Sequence, residues 1–279
     1  MVIRSSGASP LLLLLVAGVF MAALAGCTGS DGETPGDTVY PAAFNPLEQD
    51  PVERDSVLAL LDRIDEVPFR HAFDGLTGYM YTRYSRTEQF NDKNFLVAFD
   101  ERQLRYTGTA DKRSVSTIAS DSSGVFDYGF FRSFVSTHAQ SQDPKNIAQH
   151  ILPEDPSYLV PRNHEAYLYR TIGDTLMADH VARIVEIRAL PESGDGLNIR
   201  RVRLYIEKEA EKLVAAQVER IDLAMFFREE SVFFMHIRPT PAGDWLPYNT
   251  RFQTRIVMPF KPPFLYRTVA SYYAAEPLG

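Results

Sequence analysis

The clearest pattern along the chain is a change in hydrophobic period. Val57, Leu60, Leu61 and Ile64 recur at i, i+3, i+4 and i+7, the spacing of one face of an α-helix. Asp50 is placed to cap that helix, Pro51 suits its first position, and Pro68 limits its extension. From Phe73 onward the period falls to two. Phe73–Phe90, Phe95–Tyr106 and Arg113–Ser120 are rich in Tyr, Phe, Thr and Val and read as strands. They are separated by Asn91–Asn94 and by a Thr, Gly and Asp cluster at 107–111. Asp121, Ser122, Ser123 and Gly124 mark a turn, with a short strand over Val125–Phe130 after it.

Residues 131–160 break the pattern with Asp143, Pro144, Pro153, Asp155 and Pro156, leaving one short helix over Asn146–Leu152. A connection of this length reads as a helical or loop insertion, either a functional loop or a crossover that covers one end of a sheet. Strands then follow one another: Tyr167–Ile172, Met177–Ala189, Ile199–Glu207, Val214–Asp222, Ser231–Arg238, Tyr248–Met258 and Leu265–Tyr273. The short polar breaks between them predict an antiparallel meander. Val202, Leu204 and Ile206 share one face and Arg201, Arg203 and Tyr205 the other, which predicts one dry and one wet side per strand. Pro259, Pro262 and Pro263 cannot donate to a ladder, so that segment is expected at an edge, a bulge or a loop. The fold class expected is mainly β (α+β), with a single curved antiparallel sheet, an N-terminal helix and a helical or loop insertion.

The first residues belong to a different class. Arg4 precedes an apolar run from Leu11 to Ala25 of 15 residues, shorter than the roughly 20 a spanning helix needs. This is the form of a secretory signal peptide. Its end, Leu24, Ala25, Gly26 and Cys27, resembles the lipobox of bacterial lipoproteins, and Cys27 is the single cysteine of the chain. That resemblance implies removal of residues 1–26 and lipidation of Cys27. Two or more acyl chains there would anchor the protein stably in a membrane. Thr28 stands where an inner-membrane lipoprotein commonly has aspartate, so the outer membrane is expected, with the protein facing the periplasm. Residues 28–50 carry Asp31, Glu33, Asp37, Glu48 and Asp50, no Lys or Arg, and several Gly and Pro, a composition that builds no core. The expected organisation is a signal peptide at 1–26, a lipidated tether at 27–50 and one β-rich domain at 51–279.

The order of lipobox, acidic tether, amphipathic helix, aromatic strands, insertion and long meander resembles the periplasmic lipoprotein-carrier superfamily, which includes the lipoprotein-sorting proteins. The segments most similar are Val57–Arg86 and Val181–Asp222. The resemblance implies an open half-barrel with helices plugging its concave face and acyl chains held in the cavity. The composition agrees with an apolar pocket, since 12% of residues are aromatic, with 18 Phe and 14 Tyr. Phe95, Val97, Phe99, Val202, Leu204, Ile206, Phe233 and Met235 are the candidate lining residues. Aromatic and aliphatic residues on strands are equally the material of an ordinary filled core. Both readings stand at the level of sequence.

Composition also narrows the chemistry. A single cysteine excludes an intrachain disulfide framework and cysteine-rich zinc sites. A formal charge of −7 speaks against a general nucleic-acid binder. His71, His138, His150, His164, His180 and His236 show no metal-ligating spacing, and Leu168 stands where a zinc-protease helix beginning at His164 and Glu165 would need its second histidine. Nucleophile-elbow, phosphate-loop and dinucleotide motifs are absent from the sequence. No catalytic residue, metal or cofactor is therefore expected. Arg200, Arg201 and Arg203, with Arg183 and Arg188 nearby, are read as a solvated sheet face paired with Glu186, Glu207 and Glu219, the alternative being charge-assisted contact with lipid phosphate or an acidic partner. The function expected is non-catalytic binding of a lipid or a lipidated partner in an apolar cavity. An envelope scaffold with a filled core and a periplasmic hydrolase are the alternatives.

Overall fold

The computed structural model describes residues 49–109, 112–127, 145–177, 180–191, 197–224 and 227–278. The signal peptide, Cys27, nearly all of the expected tether, His138 and residues 131–144 of the insertion lie outside them.

Asp50 begins the first helix as its sequence predicts: its Oδ1 accepts the Val52 amide at 2.8 Å, and Pro51 fills the first helical turn. Helix α1, Pro51–Leu61, buries Val57, Leu60 and Leu61. It stops short of Pro68, because the chain after it is drawn into the sheet. The Asp65 amide donates to the Glu211 carbonyl at 2.9 Å and the Leu213 amide to the Asp65 carbonyl at 3.0 Å. Pro68 instead lies in the first turn of α2, Val67–Arg70, followed by α3, Ala72–Gly75, and a 3-10 turn, Leu76–Gly78. The strand expected from Phe73 therefore starts only at Tyr79. Phe73 and Leu76, three apart, are both buried, so the local spacing serves a helical turn.

Ten strands follow: β1 Tyr79–Phe90, β2 Leu96–Thr107, β3 Ser114–Ser123, β4 Tyr167–Met177, β5 His180–Ala189, β6 Ile199–Glu207, β7 Lys212–Ala224, β8 Phe227–Pro239, β9 Trp245–Met258 and β10 Lys261–Pro277. Between β3 and β4 lies α4, Lys145–Ile151. All pair antiparallel in one sheet of order β3-β2-β1-β10-β9-β8-β7-β6-β5-β4. Two meanders are thus joined where β1 pairs with β10. The sheet ends at β3 and β4 without closing among the described residues, as expected for an open half-barrel. Pro262 and Pro263 fall in a bulge between Lys261 and Phe264, one of the places a missing donor is tolerated. The turn expected at 121–124 is confined to Gly124, since β3 runs on to Ser123.

One sheet face is covered by the helices. There Val57, Phe69, Phe73, Ile151 and Leu152 pack on Tyr169, Val185, Ile187, Val202, Leu204, Ala216, Phe233, Met235 and Phe252. The opposite face is drier than the alternation in the sequence predicts. Tyr205, with Ala182, Ile184, Ala215 and Phe234, forms a second buried cluster, and Arg203 is only 3% exposed. Strand β6 is therefore not dry on one side and wet on the other. It sits inside the sheet, and its neighbours on β5, β7 and β8 tile its outer side.

Candidate functional site

The residues expected to line a cavity separate into two groups. Val202, Leu204 and Ile206 of β6 meet Phe233 and Met235 of β8 beneath the helices, all at most 4% exposed. The Phe233 ring lies 4.8 Å from that of Phe252 and 5.2 Å from the His150 imidazole. These five residues are the packing layer between helices and sheet. Phe95, Val97 and Phe99 lie elsewhere. Asn91 Oδ1 accepts the Lys93 and Phe95 amides, making a tight turn that leaves Phe95 exposed. The register slip between Gln89 and Phe90 places Val97 in a bulge, also exposed. Phe99 belongs to the face away from the helices, with the Arg86 guanidinium 4.6 Å above its ring.

An open trough of about 880 Å³ lies on that uncovered face. Its apolar residues are Phe90, Ile221, Val232, Pro263 and Leu265, and its charged residues include Arg200, Arg220, Arg255, Arg267, Glu219 and Glu230. The volume falls within the roughly 300–1,000 Å³ typical of ligand sites. Strand register builds it, because Ile221 pairs with Glu230, Glu230 with Arg255, Arg255 with Leu265 and Leu265 with Phe90. One row of side chains thus crosses five strands. Sequence reasoning missed this site. No local run of residues marks it, because Phe90, Ile221, Val232 and Leu265 lie on four different strands and only the pairing brings them together.

The charges around the trough are largely matched. Arg267 Nε donates to Glu88 Oε2 at 2.7 Å, Arg201 Nη1 to Glu219 Oε1 at 3.1 Å and Arg220 Nη2 to Asp222 Oδ1 at 3.3 Å. Further along the same face Arg203 Nε donates to Glu186 Oε2 at 2.9 Å, with Arg201 at 3.7 Å. The expected pairing with Glu186 and Glu219 is present, but Arg203 is buried and not solvated. Glu207 departs from the expectation, accepting the Glu209 and Ala210 amides of the β6–β7 turn. Burial pushes the Glu186 carboxyl above the usual carboxylate range despite the neighbouring arginines. Arg251, which pairs with Phe234 on β8 and Val269 on β10, makes no ion pair among the described residues. Desolvation, then the Arg267 charge, lowers its pKa.

The described histidines are dispersed. His71 faces Asp74 at 3.1 Å on the surface, His164 sits edge-on to Tyr169, His180 lies near Trp245, and His236 is buried on β8. Burial and then the Arg238 charge lower the His236 pKa to about 4. Its Nε2 and the Oδ1 of Asn249, its partner on β9, are both buried without a hydrogen-bond partner. Among the described residues no three His, Cys, Asp or Glu side chains are grouped to hold a metal ion.

No protein-family model matches the chain, and no curated protein matches it. Among solved structures it is similar to a DUF1329 family protein from Desulfovibrio piger, with 11% identity and a TM-score of 0.27 over 81% of this chain and 93% of that one. It is similar also to a putative outer membrane lipoprotein-sorting protein domain from Vibrio parahaemolyticus, with 9% identity and a TM-score of 0.30 over 80% and 92%. A third is the complex of MucA and MucB from Pseudomonas aeruginosa, with 9% identity and a TM-score of 0.23 over 80% and 99%. At these identities and TM-scores the likeness carries no argument about this chain.

Proposed function

We propose that the β-rich domain is a non-catalytic binding module of the bacterial envelope, held at the outer membrane through a lipidated Cys27 and facing the periplasm. Its ligand, a lipid or the lipidated part of a partner, lies in the open trough and not beneath the helices. One observation carries the reading. The trough combines an aliphatic and aromatic floor with paired Arg and Glu side chains, the combination that suits an acyl segment joined to a polar headgroup. Apolar area removed from water there contributes roughly 25 cal/mol per Å². The residues under the helices are already spent on packing.

Purified residues 28–279, extracted for mass spectrometry, are expected to release co-purified lipid and, once delipidated, to take up a fluorescent fatty acid. A protein that carries no lipid and takes up none would be a scaffold. That second reading is favoured by the fully packed layer between helices and sheet.

A further inference from the structure

Large apolar side chains are exposed together at one end of the sheet. The β1–β2 turn presents Phe95, 65% exposed, with Leu96 and Val97. The β9–β10 turn presents Phe260, fully exposed. Pairing of Phe90 with Leu265 and of Lys261 with Met258 sets these two turns at the same end. Val125, 88% exposed, follows Gly124, whose backbone lies against the Val97 carbonyl, and Leu223 is exposed at the end of β7. Lys93 and Lys261 flank the two phenylalanines in sequence.

Phe260 is costly to the fold on two counts. Its φ is 64°, a left-handed conformation that suits Gly or Asn and is an outlier for a bulky residue, and its ring gains nothing from packing. Backbone strain held at an exposed aromatic points to a use outside the fold.

We infer that this end of the sheet seats on a lipid bilayer surface, with Phe260 and Phe95 entering the interface and Lys93 and Lys261 reaching the headgroups. Aromatic residues favour that interface, and lysine stems lie along apolar surface while their ammonium groups stay wet. The occupant follows from the chain outside the described residues. Twenty-three residues separate Cys27 from Pro51. A chain of that length reaches at most about 80 Å, so a domain anchored at Cys27 never leaves the neighbourhood of the bilayer. Asn91, Asn94 and Pro263 of the same two hairpins line the trough, so seating would bring the trough beside the lipid. The inference concerns the surface contact and does not depend on what the trough holds.

The test uses residues 28–279, which lack the lipid, with vesicles of phosphatidylethanolamine and phosphatidylglycerol. Co-sedimentation is expected for the wild type, and Phe260→Asn is expected to weaken it about tenfold, the effect of losing part of one buried ring. The same variant should raise the unfolding midpoint, because Asn tolerates the positive φ. Opposite signs in the two measurements are the signature sought. In Phe260→Trp, lipid-borne quenchers should dim the introduced indole and leave Trp245, at the far end of the sheet, unaffected. Vesicle binding that is absent, or unchanged in Phe260→Asn and Phe95→Asp, overturns the inference. So does a loss of stability in Phe260→Asn, or a dimer that forms through this end in place of vesicle binding.

Discussion

His236 is the residue whose environment makes the sharpest prediction. Ala215 and Asn249 face it across the ladder, the Tyr248 ring lies 5.4 Å away, and the Arg238 charge acts on it. The folded pKa, about 4, lies below the ordinary value near 6.5. Between those two values the unfolded chain takes up a proton that the folded chain refuses, so stability is full above pH 6.5 and declines as the pH falls through this window. The loss should total about 3 kcal/mol, and His236→Phe should flatten it. Urea unfolding at intervals between pH 7 and pH 4 measures both. On the same face Glu186→Gln removes the carboxylate that pairs with buried Arg203, and the expected cost is about 2–3 kcal/mol. Arg251→Gln, which breaks no ion pair among the described residues, should stay within about 0.5 kcal/mol of the wild type.

Among elements, the two edge strands of the sheet are treated differently. The outer edge of β4 is closed by side chains: Gln49 Oε1 accepts the Tyr169 amide at 2.6 Å, Gln49 Nε2 donates to the Tyr169 carbonyl at 3.2 Å, and Glu53 Oε1 accepts the Thr171 amide at 3.0 Å. Gln49 thus stands in for a neighbouring strand. Gln49→Ala should cost about 1–2 kcal/mol and speed hydrogen exchange at the Tyr169 amide, with little effect on β6. At the other edge β3 is exposed throughout. The chain leaves it through Gly124, where φ is +73° and an added Cβ would stand 2.1 Å from the Val97 carbonyl oxygen. Gly124→Ala should therefore cost about 2–4 kcal/mol, read from the shift in thermal midpoint.

These elements also show what the residue pattern could convey. The meander from β4 to β10 was legible because its period of two is broken by polar turns, and α1 because a capping aspartate precedes a proline and a helical stripe. The turns at 72–78 were not, since Phe73 and Leu76 are a single helical pair, too short a stretch to stand out from the period of two that begins at Tyr79. The dryness of Arg203 and the trough were hidden for a different reason. Both depend on which residues of separate strands stand opposite one another, Glu186 beside Arg203 and Ile221, Glu230, Arg255, Leu265 and Phe90 in one row. Alternation assigns a residue to a face, and register alone decides its company.

At the scale of the whole molecule, the two faces of the sheet are expected to answer differently to substitution. Beneath the helices Met235 is wholly buried, packed in the layer that joins helices and sheet. Met235→Ala should cost about 2–5 kcal/mol, as a cavity opened in a close-packed core does, and should leave uptake of a fluorescent fatty acid unchanged where the protein stays folded. Across the sheet Val232 is part of the trough floor, with open volume above it. Val232→Trp fills that volume from the uncovered side, so uptake should fall about tenfold or more with the unfolding midpoint nearly unaltered. Titration of both variants beside their melting curves separates the two faces. If Met235→Ala abolishes uptake while folded and Val232→Trp does not, the ligand lies under the helices and the trough is only a surface of the sheet.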